Sequence, residues 1–158
     1  PVPFQTPETR KPLVALINKF AKEYITAHNK LDANVFTTIT DETKKNFKEK
    51  FENDRFYDRR YKGEALGTSI NFEKVELYQD DYTKVYKVQI PFEFHTKEAY
   101  YSLSYPETPE EKFTEYFLTL SYDEKTKKWL ISNYTSNIFI YNRDQYIQGE
   151  DVVKTRFK

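Results

Sequence analysis

Two histidines, His28 and His95, are the side chains of this sequence best suited to moving a proton near neutral pH. Neither has the company that catalysis requires. There is no cysteine for an imidazole to activate, and neither histidine has a partner at the spacing of a metal site. His28 follows Ala27 near the end of a helical stretch, where an imidazolium would meet the negative end of the helix dipole. His95 shares the parity of Lys87 and Glu93, on the wet face of an alternating stretch. Both read as structural or solvated groups.

The carboxylates offer little more. Glu110 and Glu111 follow Thr108 and Pro109, in the manner of a capping pair on one helical turn. Asp80 and Asp81 fall between two alternating stretches, where Asp suits a tight turn. Glu115 alternates with Phe113 and Phe117, and a carboxylate beside aromatic rings can be raised in pKa until it serves as an acid or base. A half-wet strand explains the same spacing more simply, with Glu115 on the rim of an outer apolar face. No Gly-rich phosphate loop, nucleophile elbow, His-Glu-x-x-His or calcium-loop pattern occurs. Asn133-Tyr134-Thr135 has the form of a glycosylation acceptor, but it lies inside an expected strand. No catalytic residue, cofactor ligand or metal ligand is assigned, and the expectation is a protein that is not an enzyme.

Contact residues are easier to find. Arg55, Arg59, Arg60 and Lys62 interleave with Phe56, Tyr57 and Tyr61, a pattern able to stack nucleic-acid bases. Asp54, Asp58 and Glu64 dilute its field, so a solvated loop between helix and sheet is expected. Tyr100, Tyr101 and Tyr105 lie in the proline-containing segment 99–112 and supply the rigid, amphipathic surface that protein interfaces favour. With Phe139 and Tyr141 they form the candidate protein-contact set. Trp129, the single tryptophan, reads as a core or near-core anchor.

The 158 residues fit one domain, and 14 Tyr with 13 Phe supply core mass although hydrophobic residues reach only 38%. Lys plus Arg and Asp plus Glu both number 25, so the basic excess of a general nucleic-acid binder is absent. No apolar run is long enough to cross a bilayer. The sequence also lacks methionine, which suggests an upstream signal or membrane anchor and an extracytoplasmic domain.

The elements that must hold these residues follow from periodicity. Leu13, Leu16, Ile17, Phe20, Ala21, Tyr24, Ala27 and Leu31 recur at helical spacing, after Thr6 and Pro7 as a start signal. A short helix is expected around Val35 to Ile39, then a highly charged one capped by Thr40 or Asp41 with Phe47 and Phe51 on its narrow apolar stripe. Strands are expected near Ile70 to Tyr78, from Tyr86 through Phe94 with Pro91 at a bulge or edge, around Tyr116 to Tyr122, and from Trp129 onward. In that last strand Trp129 and Ile131 would share one face, and Leu130 and Tyr134 the other. Helices followed by antiparallel strands give an α+β fold. The organisation expected is an extended lead-in at 1–8, one domain over 9–141, and a charged tail over 142–158.

FAKEYITAHNKLDANVFTTIT from Phe20, a charged helix, and a terminal KKWLISNYTSN together resemble the nuclear transport factor 2-like fold, over about residues 8 to 141. In that fold a long helix packs into a cone made by a bent antiparallel sheet. Tyr24-Ile25-Thr26-Ala27 is similar to the first helix of the inner assembly factor of conjugative type IV secretion channels, including Gram-positive ones, although the Asn-Pro-x-Gly motif of many members is absent. Trp129-Leu130-Ile131 and Ser136-Asn137-Ile138-Phe139 are similar to the amino-terminal module of certain penicillin-binding proteins. Gram-positive membrane proteins of the glycopeptide response are a third relative. All three imply a non-catalytic, extracytoplasmic domain tethered by a segment outside it. The channel resemblance implies a scaffold that contacts copies of itself and other channel subunits, with no cofactor and no direct nucleic-acid binding. The superfamily's enzymes imply the rival, a small-molecule cone. Its interior would hold acids or histidines, whereas the apparent dry faces here offer Tyr86, Tyr116 and Tyr122 but no histidine or carboxylate.

Overall fold

In the computed structural model, residues 7–136 and 151–158 are described. The first helix, α1, spans Pro7–Lys30. Leu13, Ile17, Phe20, Ala21, Tyr24 and Ala27 are all buried, as their spacing requires. The helix ends at Leu31, whose φ of 52° lies in the left-handed region. Its burial and an Arg55 guanidinium that donates to the Leu31 carbonyl at 2.6 Å hold that conformation in place of the usual glycine. A 3₁₀ turn at Ala33–Val35, capped by Asp32, stands where a short helix was expected. Glu23 on α1 secures this connection by accepting from the Thr37 amide at 2.9 Å and from the Thr38 hydroxyl at 2.8 Å. Helix α2, Asp41–Phe56, starts at its Thr40 cap and buries Phe47 and Phe51.

Among the described residues six antiparallel strands follow: β1 Arg60–Asn71, β2 Glu76–Gln79, β3 Tyr86–Tyr101, β4 Glu110–Asp123, β5 Lys128–Ser136 and β6 Val152–Arg156. Their order is β5-β4-β3-β1-β6, and β2 pairs with β3 beyond the end of β1. The two helices lie against this open, curved sheet and the main core fills the space between. Asp80 makes the expected turn between β2 and β3, accepting from the amides of Tyr82 and Thr83, both at 2.9 Å. Those amides, Thr83 first, hold its carboxyl below the ordinary aspartate value.

Several boundaries differ from expectation. Strand β1 begins at Arg60, not near Ile70, so Arg60, Tyr61 and Lys62 belong to the sheet and not to a solvated loop. Glu110 and Glu111 open β4 opposite Glu98 and Lys97, because pairing with β3 satisfies their backbone where a helical turn was expected to need caps. Pro91 faces the gap between β1 and β2: pairing with β1 stops at Phe92 and pairing with β2 resumes at Gln89. The ring sits at a local edge inside the sheet, where a donor is not required. An extra residue in β5, Ser132, shifts the register between the Asn133 and Ile131 pairs. That bulge returns Tyr134 to the inner face with Ile131, instead of sending it to the opposite one. Val152–Arg156, inside the expected charged tail, is a strand that pairs with Gly67–Asn71.

Candidate functional site

The cone's interior is built around Tyr24. Its ring lies 3.9 Å from the His28 ring, 5.7 Å from Tyr116, 5.9 Å from Tyr134 and 6.1 Å from Phe47. Helical spacing places Tyr24 and His28 one turn apart on α1, and α2 brings Phe47 and Phe51 against them. His28 is fully buried, which overturns its expected role as a cation at the helix end. Its Nδ1–H donates to the Tyr24 carbonyl at 2.7 Å, and Nε2 has no protein partner. Burial first, then the nearby Lys50 charge, lower its pKa to about 3. The imidazole is therefore neutral in the folded protein.

A carboxylate also enters the interior. Glu98 continues the inward series of β3, is buried, and accepts the Tyr61 hydroxyl. The expectation of an interior without histidine or carboxylate is thus corrected on both counts. Burial raises the Tyr100 and Tyr134 phenols to about 12, and raises those of Tyr24, Tyr61 and Tyr116 further. These groups are uncharged donors and acceptors at neutral pH. Rings occupy the volume around them: Phe47 stacks on Tyr134 at 4.9 Å and Phe92 on Tyr116 at 5.6 Å. Two surface depressions, of about 190 Å³ beside Asp32 and Arg55 and about 390 Å³ beside Tyr86 and Tyr122, open elsewhere. Among the described residues no group of three metal-ligating side chains converges.

The outer face holds the remaining candidates. His95 stacks on Phe113 at 4.1 Å and its Nε2 meets Glu111 at 2.5 Å. Glu115 is half-buried between the exposed Phe113 and Phe117. Its register partner Glu93, expected on a wet face, is buried with 1% exposure. Trp129 is half-buried against the core and 5.2 Å from Tyr122.

Exposed apolar side chains cluster where α2 ends. Phe56 and Tyr57 meet edge to face at 4.9 Å and are 80% and 65% exposed. The loop after β3 folds beside them, because Asp58 accepts the Leu103 amide at 3.2 Å and a turn joins Ser102 to Tyr105. Leu103 and Tyr105 are 79% and 77% exposed. Tyr100 is half-exposed and packs on Tyr61 at 5.0 Å, while Tyr101 is half-buried opposite Arg60. Arg59 covers the Tyr57 ring at 5.2 Å and reaches the buried Asp54 at 3.0 Å, which Lys50 also holds. Tyr105 stands in the β3–β4 loop, whereas Tyr100 and Tyr101, expected in that connection, end β3 because their backbone pairs with Tyr61 and Arg60 of β1. Phe56 and Tyr57, expected in a solvated connection, lie at the end of α2 near the loop that Asp58 ties down. Their residue types carried the signal, but only tertiary structure sets them beside Leu103. Phe139 and Tyr141 lie outside the described residues.

A long helix held in a bowed antiparallel sheet with a ring-filled cone is the architecture of nuclear transport factor 2-like domains. The chain belongs to the YvbJ NTF2-like domain family, whose sequence profile matches residues 13–135. Its structure is similar to the crystal structure of the intermembrane space region of the chloroplast protein ARC6, with a TM-score of 0.60 and 11% identity over 80% of this chain and 94% of that one. At that identity the likeness is one of fold. No curated protein matches the chain.

Proposed function

We propose that this domain is a non-catalytic contact module of an extracytoplasmic assembly, joining proteins through the aromatic end formed by α2 and the β3–β4 loop. One contrast carries the reading. The rings that could line a reactive cone are packed against one another, while Phe56, Tyr57, Leu103 and Tyr105 are held out in solvent. The largest apolar patch on a monomer is often the one that functions in binding. Ordering these side chains in advance, through the Phe56–Tyr57 contact and the Asp58–Leu103 bond, lowers what a partner must spend on arranging them.

The finer setting we propose is the scaffold of a conjugative type IV secretion channel, anchored by a membrane segment outside this chain. That setting rests on the first-helix resemblance of Tyr24-Ile25-Thr26-Ala27, since the family match names no channel component. Leu103→Asp in the full parent protein should abolish the recovery of its native complexes by cross-linking while leaving the domain folded. Complexes unaffected by that change would remove the contact reading. Plasmid transfer that continues at full frequency after deletion of the parent gene would remove the channel setting alone.

A further inference from the structure

We propose that the aromatic end is a homodimer interface, in which the Phe56–Tyr57 corner and the Leu103–Tyr105 turn of one copy pack against the same surface of a second about a two-fold axis. The inference rests on the contact-module reading and supplies the partner.

Area is the first argument. Phe56, Leu103, Tyr105 and Tyr57 expose 80%, 79%, 77% and 65% of their surface. At roughly 150–250 Å² for each aromatic side chain and less for Leu103, the four offer on the order of 500 Å² per copy. That lies toward the upper end of the ~300–600 Å² reached by the largest apolar patch on a typical monomer. Tyr100 and the surrounding polar groups extend it toward the ~800 Å² per partner of a standard interface.

Charge is the second argument. The patch is edged by both signs, with Arg60 paired to Asp58 and Arg59 to Asp54. A two-fold contact sets each residue against a different one on the other copy, so a mixed rim can find its complement on itself. A polyanion, or a peptide of one sign, would meet its own charge along part of that rim. The balance of 25 basic and 25 acidic residues leaves no net repulsion between copies.

Sedimentation equilibrium on the 158-residue chain tests the proposal. The unmodified chain should show a concentration-dependent monomer–dimer equilibrium. Leu103→Asp, and separately Phe56→Ser, should weaken it by about tenfold or more with the thermal transition unmoved. Tyr82→Ser, at a 97% exposed position on the distant β2–β3 turn, should leave it unchanged. A chain that stays monomeric at its solubility limit, or a dimer indifferent to Leu103→Asp, overturns the homodimer. If the homodimer fails while Leu103→Asp still disrupts the parent protein's complexes, the surface serves a different protein and the contact-module reading survives. If those complexes are untouched as well, both readings fall.

Discussion

Packed among the rings of Tyr24, Phe51 and Tyr61, the His28 imidazole donates from Nδ1 to the carbonyl of Tyr24. Protonation would place a cation among those rings near Lys50, so the folded-state pKa is lowered to about 3, against about 6.5 in an unfolded chain. Between those values the unfolded state takes up a proton that the folded state refuses. Stability is therefore fully present above pH 6.5 and declines as the pH falls toward 3. Ordinary carboxylates titrate below this upper part of the window, so from pH 7 to pH 5.5 the unfolding free energy should drop by about 1 kcal/mol through His28. His28→Leu should flatten urea midpoints across that interval, and an undiminished slope would assign the titration to another group. Asn29 makes a second prediction. Its side chain donates to the Gly63 carbonyl at 2.9 Å and accepts the Gly63 amide at 2.8 Å, occupying the edge of β1 that β6 does not reach. Both bonds lie at an exposed site, so Asn29→Ala should cost about 1–2 kcal/mol in chemical denaturation. A loss near zero would show that water replaces the amide without penalty.

The last strand, β6, depends on a single close approach. A Cβ at Gly67 would lie 2.5 Å from the Thr155 carbonyl oxygen, a backbone atom that cannot swing aside as a side chain can. Gly67→Ala should therefore push β6 away from β1, destabilise the domain by roughly 1–3 kcal/mol, and speed hydrogen exchange at the Phe157 amide, which now donates to Leu66 at 2.9 Å. Unchanged exchange at Phe157 would count against this account of β6. The strand also shows which elements a sequence displays. Helix α1 and the Thr40 cap of α2 were legible because their signals are local: a stripe at helical spacing and a hydroxyl that meets the Thr43 amide. Strand β6 was not, because Lys154 and Arg156 alternate with Val153 and Thr155 in a charged stretch that becomes a strand only when β1 provides its partner. The Ser132 bulge is likewise a property of the β4–β5 pairing, so strict alternation put Tyr134 on the wrong face. Glu98 was missed for a related reason. The alternation was followed only through Phe94, while pairing of β3 with β1 and β4 continues the strand and carries Glu98 inward to Tyr61. Among the candidate contact residues, residue type and the nearby proline singled out Tyr105 in the β3–β4 loop, but the same reasoning put Tyr100 in that loop when pairing with β1 makes it a strand residue. Phe56 and Tyr57 come near the loop only through the Asp58–Leu103 bond.

Across the described residues, aromatic side chains stand in two settings, packed in the core or held out in solvent, and helix α2 carries both. Phe47 is 1% exposed, stacks on Tyr134 at 4.9 Å, and lies 4.5 Å from Phe36, so it joins α2 to the sheet and to the connection after α1. Truncating such a ring typically costs about 3–5 kcal/mol, a large share of the ~5–15 kcal/mol that holds a domain folded. Phe47→Ala should accordingly lower the thermal midpoint sharply and leave little folded protein under mild denaturation. Phe56, at the end of the same helix, is 80% exposed and touches mainly Tyr57. Phe56→Ala should stay within about 0.5 kcal/mol of the parent stability, yet weaken association, because its ring contributes apolar area only when a second surface covers it. Thermal melts and sedimentation run on both variants would separate core from contact. If Phe56→Ala melted as low as Phe47→Ala, the end of α2 would be packed within the monomer, and neither the contact module nor the dimer would have a surface on which to act.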